Sequence, residues 1–205
     1  MSQAQYQIAE IFESIQGEGP WQGRWCTFIR FAGCNLACDF CDTDHGTTHV
    51  MYEEDLVQYV AKTSPDAIVL TGGEPCLQIN RPLIIKLQMI PSYPEIAVET
   101  NGTRYTDALS AVDHITLSPK LGGYISTAMR YIPIQELRVI VTEFGMLYPD
   151  VEQFRKVEQV TLSPIFDKEG KLDRKALDKA LYLITQNRDK GWKLSVQLHK
   201  LIGVI

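Results

Sequence analysis

The sequence predicts an α/β fold, an incomplete (partial) TIM-like barrel of parallel strands with an N-terminal hairpin extension. Short apolar runs alternate with helical patterns over most of the 205 residues, the order that builds strand–helix–strand units with right-handed crossovers. Several runs are continuous and rich in β-branched residues, such as Ala-Ile-Val-Leu at 67–70 and Leu-Arg-Val-Ile-Val at 137–141. Runs of that kind suit strands covered on both faces, as in a parallel sheet. The chain is also shorter than the roughly 250 residues that a closed eight-unit barrel needs.

The first two strands are expected at 7–12 and 25–31. A glycine-rich stretch at 16–23 joins them, so they pair as a hairpin outside the repeat. A helix over 53–62 opens with Glu53, Glu54 and Asp55, which favour a helix N-terminus, and aligns Leu56, Tyr59 and Val60 on one face. A strand at 67–70 precedes a helix at 81–89 that brings Leu83, Ile84 and Leu87 into register. Further strands fall at 96–99, 114–117, 137–141, 159–162 and 194–197. Asp173 caps a helix that buries Ala176, Leu177, Ala180, Leu181 and Ile184. Thr-Leu-Ser-Pro occurs twice, at 116–119 and 161–164. Proline stops a strand and holds the residue before it extended, which places Ser118 and Ser163 at a C-terminal strand rim. Ligands of parallel sheets bind at that rim.

Composition narrows the class. Hydrophobic residues make up 45% and charged residues 22%, ordinary values for a folded chain. No apolar run reaches the roughly 18 residues of a membrane span, and the first residues lack the basic start and apolar run of a secretory signal. We therefore expect a cytoplasmic protein with no membrane partner. The net charge of −5 is uneven: residues 1–60 carry two Lys/Arg against nine Asp/Glu, and residues 161–205 carry nine against five. An acidic total excludes extensive wrapping of nucleic acid, and no nucleic-acid partner is expected.

Three of the five cysteines, Cys34, Cys38 and Cys41, fall in a C-x3-C-x2-C pattern. An odd count in a cytosolic chain points to metal rather than disulfides. Cys26 lies inside a strand and reads as a core residue, and Cys76 follows a Gly-Gly-Glu-Pro turn. Three thiolates leave a tetrahedral metal one ligand short. A zinc site would recruit His45 or His49. An iron–sulfur cube would be held through three irons, its fourth open to a substrate or cofactor. The absence of a second cysteine pair, in an α/β chain, suits the cube better.

The segment Cys-Asn-Leu-Ala-Cys-Asp-Phe-Cys at 34–41 resembles the cluster loop of the radical S-adenosylmethionine (SAM) superfamily, including the aromatic Phe40 before the last cysteine. Thr71, Gly72, Gly73, Glu74 and Pro75 resemble that superfamily's turn for the SAM amino group. Glycines there let backbone carbonyls approach an ammonium. Further motifs, at 14–19, 30–34, 41–43, 99–102, 118–120 and 197–200, are similar to those of the 7-carboxy-7-deazaguanine synthase family. The resemblance implies one radical SAM domain over residues 1–205, a [4Fe-4S] cluster on Cys34, Cys38 and Cys41, and SAM chelating the open iron. It implies an enzyme, a carbon–nitrogen lyase, that converts 6-carboxy-5,6,7,8-tetrahydropterin to 7-carboxy-7-deazaguanine with loss of ammonia. That step belongs to queuosine and 7-deazapurine biosynthesis.

The resemblance carries residue roles with it. Thr43 would ligate Mg2+ bridging to the substrate carboxylate, in keeping with the preference of that ion for oxygen. Phe40, Cys41, Asp42, Gly73, Glu74, Ser118, Pro119 and Lys120 would contact SAM, with Lys120 on the methionine carboxylate and Ser118 on the ribose. Ser163, Pro164, Ile165 and Phe166 fall where the family contacts adenine. Ile15, Gln16, Gly17, Glu18, Thr71, His199 and the terminal Ile205 would meet the pterin. Arg30, one of only two basic residues among the first 60, has a fork suited to the substrate carboxylate. An external electron donor such as flavodoxin and a homodimeric assembly are implied as well. A small activase acting on a protein partner would share the cluster and the glycine turn, but would not need Arg30 or the Gln-Gly-Glu-Gly loop.

Overall fold

The computed structural model describes residues 4–39, 41, 43–46, 48–120, 124–148, 150–167 and 169–204. Strands β1 (Gln5–Ile15) and β2 (Trp25–Phe31) form an antiparallel hairpin, and β3 (His49–Tyr52) adds to the other edge of β1. Helix α1 (Glu53–Ala61) leads to β4 (Ala67–Gly72), α2 (Arg81–Gln88), β5 (Glu95–Thr100), β6 (His114–Leu117) and β7 (Ile134–Thr142). The short β8 (Gly145–Met146), β9 (Val157–Pro164), α3 (Arg174–Gln186), β10 (Lys193–Leu194) and α4 (Leu198–Ile202) complete the order. The strands build one sheet in the order β10-β9-β7-β6-β5-β4-β2-β1-β3, with β8 paired to β7. Along that order every neighbouring pair from β2 to β10 is parallel, and β8 runs antiparallel to β7. The sheet is open, so the fold is the incomplete barrel that the alternation predicts.

The hairpin is not separate from the repeat, because β2 pairs parallel with β4 from Thr27↔Ile68 to Phe31↔Gly72. Its two faces explain why. Ile29 and Phe31 join Ile68, Leu70, Ile96, Val98, Leu117, Leu137, Val139 and Leu162 in the large core under the helices. Leu56 and Val60 of α1, Leu83 and Leu87 of α2, and Ala180 of α3 enter that core at helical spacing. The opposite side of the same strands holds a smaller cluster of Cys26, Phe28, Ala67, Val69 and Ala97, covered by Phe12 and Trp21. Burial pushes the Cys26 thiol up to about 11, so it is an inert packing residue. Further along that concave face the alternating positions become polar: Thr71, Glu99, Thr116, Glu136, Arg138, Thr161 and Ser163.

Several expectations need correction. Tyr59 is 47% exposed and Leu181 is 43% exposed, because only the i, i+4 pairs Leu56/Val60 and Ala176/Ala180 face the sheet closely enough to be buried. The strand expected at 194–197 pairs only over β10. Ser195 N still donates to Leu162 O at 3.0 Å, but Leu198 N already donates to Gly17 O at 2.9 Å, which turns the chain toward the glycine-rich loop. The first Thr-Leu-Ser-Pro ends its strand as expected, whereas β9 runs through Pro164 beside Val141. Asp173 caps α3 as predicted, accepting from Ala176 N at 3.0 Å.

Candidate active site

The C-terminal ends of the parallel strands bring the chemistry-bearing motifs to one rim. The cysteine loop leaves β2, the glycine turn leaves β4, and the two are bonded together: Gly73 N donates to Phe31 O at 3.1 Å and Glu74 N to Gly33 O at 2.9 Å. A Cβ on Gly73 would stand 2.0 Å from Gly33 O and 2.9 Å from Cys34 Cβ, so only glycine allows this approach. Glu74 turns its side chain inward. It is fully buried and accepts from Thr100 Oγ1 and Asn101 N, both at 2.7 Å, and from Cys76 N at 2.9 Å. Burial raises its carboxyl above the ordinary range, against these hydrogen bonds. Asn101, fixed in this way at the end of β5, directs its Nδ2 to Asn35 Oδ1 at 3.3 Å and to Cys34 Sγ at 3.9 Å. Asn35 in turn donates to Thr103 Oγ1 at 2.7 Å.

Cys34 and Cys38 are partly buried and Cys41 is exposed. Cys41 N donates to Cys38 O at 3.0 Å, and Cys41 Sγ to the Thr43 carbonyl at 3.7 Å. Burial raises the Cys38 thiol, Lys120 pulls it down, and Cys41 and Cys34 add to the rise. The three sulfurs and Lys120 thus share one field. Lys120 Nζ donates to Ser118 Oγ at 2.7 Å, and desolvation with the nearby Arg138 charge depresses its pKa. Among the described residues no three His, Cys, Asp or Glu side chains converge on a single metal position.

Beneath this rim lies an ionic cluster that the sequence reading did not anticipate. Arg138 on β7 donates from Nε and Nη2 to the two oxygens of Glu136 at 3.1 and 2.7 Å. Its Nη1 donates to Glu99 Oε1 on β5 at 3.1 Å and to Glu18 Oε2 at 3.3 Å. Glu136 also accepts from Thr161 Oγ1 at 2.6 Å and Thr116 Oγ1 at 2.9 Å. Burial would raise the Glu136 carboxyl, but the Arg138 charge and these bonds together hold it below its ordinary value. Glu99 accepts from Gln16 Nε2 at 3.2 Å and Thr71 Oγ1 at 3.1 Å, and Glu18 accepts from Ser163 Oγ at 2.9 Å and Gln197 Nε2 at 3.4 Å. A narrow cleft borders the cluster, lined also by Trp21, Ala97 and His114.

A model of the Radical SAM superfamily matches residues 28–122. The chain is 34% identical over 197 residues to the 7-carboxy-7-deazaguanine synthase of Bacteroides thetaiotaomicron, covering 96% of this chain and 97% of that one. It is 33% identical over 202 residues to the enzyme of that name from Haemophilus influenzae, covering 97% and 94%. The chain belongs to the 7-carboxy-7-deazaguanine synthase family. Among solved structures it resembles the crystal structure of QueE from Escherichia coli, with a TM-score of 0.73 and 26% identity over 95% of each chain.

This synthase family is one of radical SAM enzymes, which carry a [4Fe-4S] cluster and SAM. The residues of this chain fit both groups. Three sulfurs stand on one loop, glycine keeps the turn beside it clear of side chains, and Lys120 is at hand as a cation. Of the other expected residues, Gln16, Glu18 and Thr71 meet in one hydrogen-bond network with Ser163 through Glu99 and Arg138. Ile15 ends β1 beside Trp25. Gly17 lies against the His199 ring, where an added Cβ would fall 1.9 Å from Nδ1. Phe166 bridges to Leu172 and packs under Lys200 Nζ at 5.1 Å. Pro119 and Pro164 are buried and Ile165 half-buried, its N–H held by Val141 O at 3.1 Å. Arg30 is not in the network. It reaches toward β1 instead, 3.5 Å from Glu10 Oε2 and 5.4 Å from the Phe12 ring centre. Phe40, Asp42 and Ile205 lie outside the described residues.

Proposed function

We propose that the protein converts 6-carboxy-5,6,7,8-tetrahydropterin to 7-carboxy-7-deazaguanine and ammonia, within queuosine or other 7-deazapurine biosynthesis. The observation that carries this reading is the meeting of a cysteine loop and a glycine turn at one strand rim, above an acceptor-rich cluster, in a chain of this family. The conversion balances in atoms and needs no net oxidant. Cys34, Cys38 and Cys41 would hold the [4Fe-4S] cluster, with SAM bound beside it. When bound, the reduced cluster and SAM supply a 5′-deoxyadenosyl radical able to take hydrogen from C6 of the pterin.

The chain's own residues bind and orient. The Gly73 backbone, packed close beside Cys34, would accept from the SAM ammonium, and Glu74 holds that turn from within. Lys120 and Ser118 offer donors for the carboxylate and ribose of SAM, with Pro119 fixing their spacing. Phe40, Cys41, Asp42 and the Ser163, Pro164, Ile165, Phe166 segment complete the cofactor contacts. A reduced pterin presents several N–H donors on a flat ring. Glu18, Glu99 and Gln16 present acceptors to them, backed by Thr71, Gly17, Ile15, His199 and Ile205. Arg30 pairs with the substrate carboxylate in exchange for Glu10, and Thr43 would hold a Mg2+ ion, which would supply a second positive charge for that carboxylate. The chain acts as a single domain, forms a homodimer, works in the cytoplasm and takes its electron from a donor such as flavodoxin. No helix among the described residues is long and apolar enough to cross a membrane.

Anaerobic reconstitution with iron and sulfide, followed by reduction with SAM and the carboxytetrahydropterin, tests the reading by mass spectrometry. The expected products are 7-carboxy-7-deazaguanine and 5′-deoxyadenosine. Formation of 5′-deoxyadenosine with the pterin left intact would replace this substrate with another, a protein partner first.

A further inference from the structure

We propose that Arg138 is a positioning residue for the pterin pocket, acting through Glu18 and Glu99 rather than by touching the substrate. The inference rests on the functional reading above and extends it to a residue no motif marked. Arg138 is 7% exposed, and its Nε, Nη1 and Nη2 all donate to carboxylates. A single nitrogen, Nη1, bridges Glu18 from the glycine-rich loop and Glu99 from β5, while the other two clamp to Glu136. Glu136 is fully buried, so it anchors the guanidinium and leaves it no freedom to turn.

The charge balance gives this device its purpose. Glu18, Glu99 and Glu136 are three like charges brought together, and without a cation between them they would repel one another. Arg138 holds them in place, engaging Oε2 of Glu18 and Oε1 of Glu99 through one nitrogen. The loop that carries Glu18 rests on the same anchor. Gly19, at φ +66°, comes so close that a Cβ would stand 2.3 Å from Glu136 Oε2. The other titratable or charged groups facing Glu18 and Glu99 are Lys120, His114 on β6 and Cys26 on β2, with His199 against the loop at Gly17. Lys120 is the only further cation in that set, and it is tied to Ser118 at the rim.

The test uses two variants of the reconstituted holoenzyme. Arg138→Lys retains the charge but cannot span three carboxylates. The double variant Glu136→Gln with Arg138→Gln removes the buried pair without stranding either charge. In both, cluster absorbance and SAM cleavage without pterin are expected at wild-type levels. The Michaelis constant for the pterin is expected to rise roughly ten- to hundredfold, more than the turnover number falls. A Michaelis constant within about twofold of wild type, or a turnover number that falls as much as the Michaelis constant rises, would overturn the proposal. So would a parallel loss of pterin-free SAM cleavage, or failure of both variants to fold, each of which marks a purely structural role. A wild-type enzyme that cleaves SAM but leaves the pterin intact would overturn the functional reading itself, a result separable from these.

Discussion

Replacing Gly73 with Ala tests the contact between the glycine turn and the cysteine loop. Gly73 is not among the residues with positive φ, so alanine meets no backbone strain there. Its cost is steric. The new Cβ would fall 2.0 Å from Gly33 O and 2.4 Å from Gly33 C, against 3.0 Å for the tightest real contacts. The turn and the loop must therefore part by roughly 1 Å or more, lengthening the bonds Gly73 N to Phe31 O and Glu74 N to Gly33 O. Overpacking of this kind costs about 1–3 kcal/mol. At about 2–4 °C per kcal/mol for a chain of this size, Tm should fall by roughly 2–12 °C. A shift near 1 Å between a cofactor and its holder costs about a hundredfold in rate. We expect Gly73→Ala to fold and to lose SAM cleavage by that order, followed as 5′-deoxyadenosine under reducing conditions. Gly170→Ala is the control. It sits at φ +75° with open space around it, so it incurs a left-handed backbone cost of about 1–2 kcal/mol with no clash. It should lose comparable stability and keep SAM cleavage. Gly73→Ala with wild-type cleavage and wild-type Tm would refute the close-approach argument.

Cys38→Ala should abolish both bound iron and SAM cleavage, measured by iron analysis and chromatography; retained cleavage would remove the cysteine loop from the mechanism. Arg30→Ala should leave the cluster intact and raise the Michaelis constant for the pterin by roughly ten- to a hundredfold, since hydrogen bonds to charged groups are worth about 1.5–3 kcal/mol. An unchanged constant would confine Arg30 to its pair with Glu10. His114 is buried against Trp21, with ring centres 5.2 Å apart, and burial holds its pKa below 6.5. Below pH 6.5 the unfolded chain therefore takes up a proton that the folded chain refuses. The stability this group contributes is complete above that pH and falls as the pH drops toward the folded value. His114→Phe keeps a ring against Trp21 and should flatten that fall. Urea unfolding at about pH 7.5 and about pH 5.5 checks it, and equal pH dependence in both proteins would contradict the assignment.

Local patterns made much of the fold legible. Apolar runs rich in β-branched residues marked strands such as β4 and β7, because a strand covered on both faces is apolar over most of its length. Asp173 marked the start of α3 because a cap is a bond between residues three apart. The cysteine loop and the glycine turn were legible for a similar reason, since each is one short segment whose spacing is its chemistry. The exposure of Tyr59 and Leu181 was not legible, because helical spacing identifies a face but not how wide a stripe the sheet covers.

The sequence alone therefore determined the alternating architecture, the three sulfurs, and the turn that stands beside them. The tertiary structure decided that the glycine-rich loop, β5 and β7 converge on one guanidinium, with Ser163 of β9 bonded to Glu18. Glu18, Glu99 and Arg138 are separated by dozens of residues, and their charges interact only because parallel strands place Glu99 and Arg138 on one face and the glycine-rich loop brings Glu18 against it. The tertiary structure also supplied the present partners of Arg30, which lies against Glu10 and the Phe12 ring of β1, and put Arg138, a residue that a linear reading passes over, at the centre of the ionic cluster.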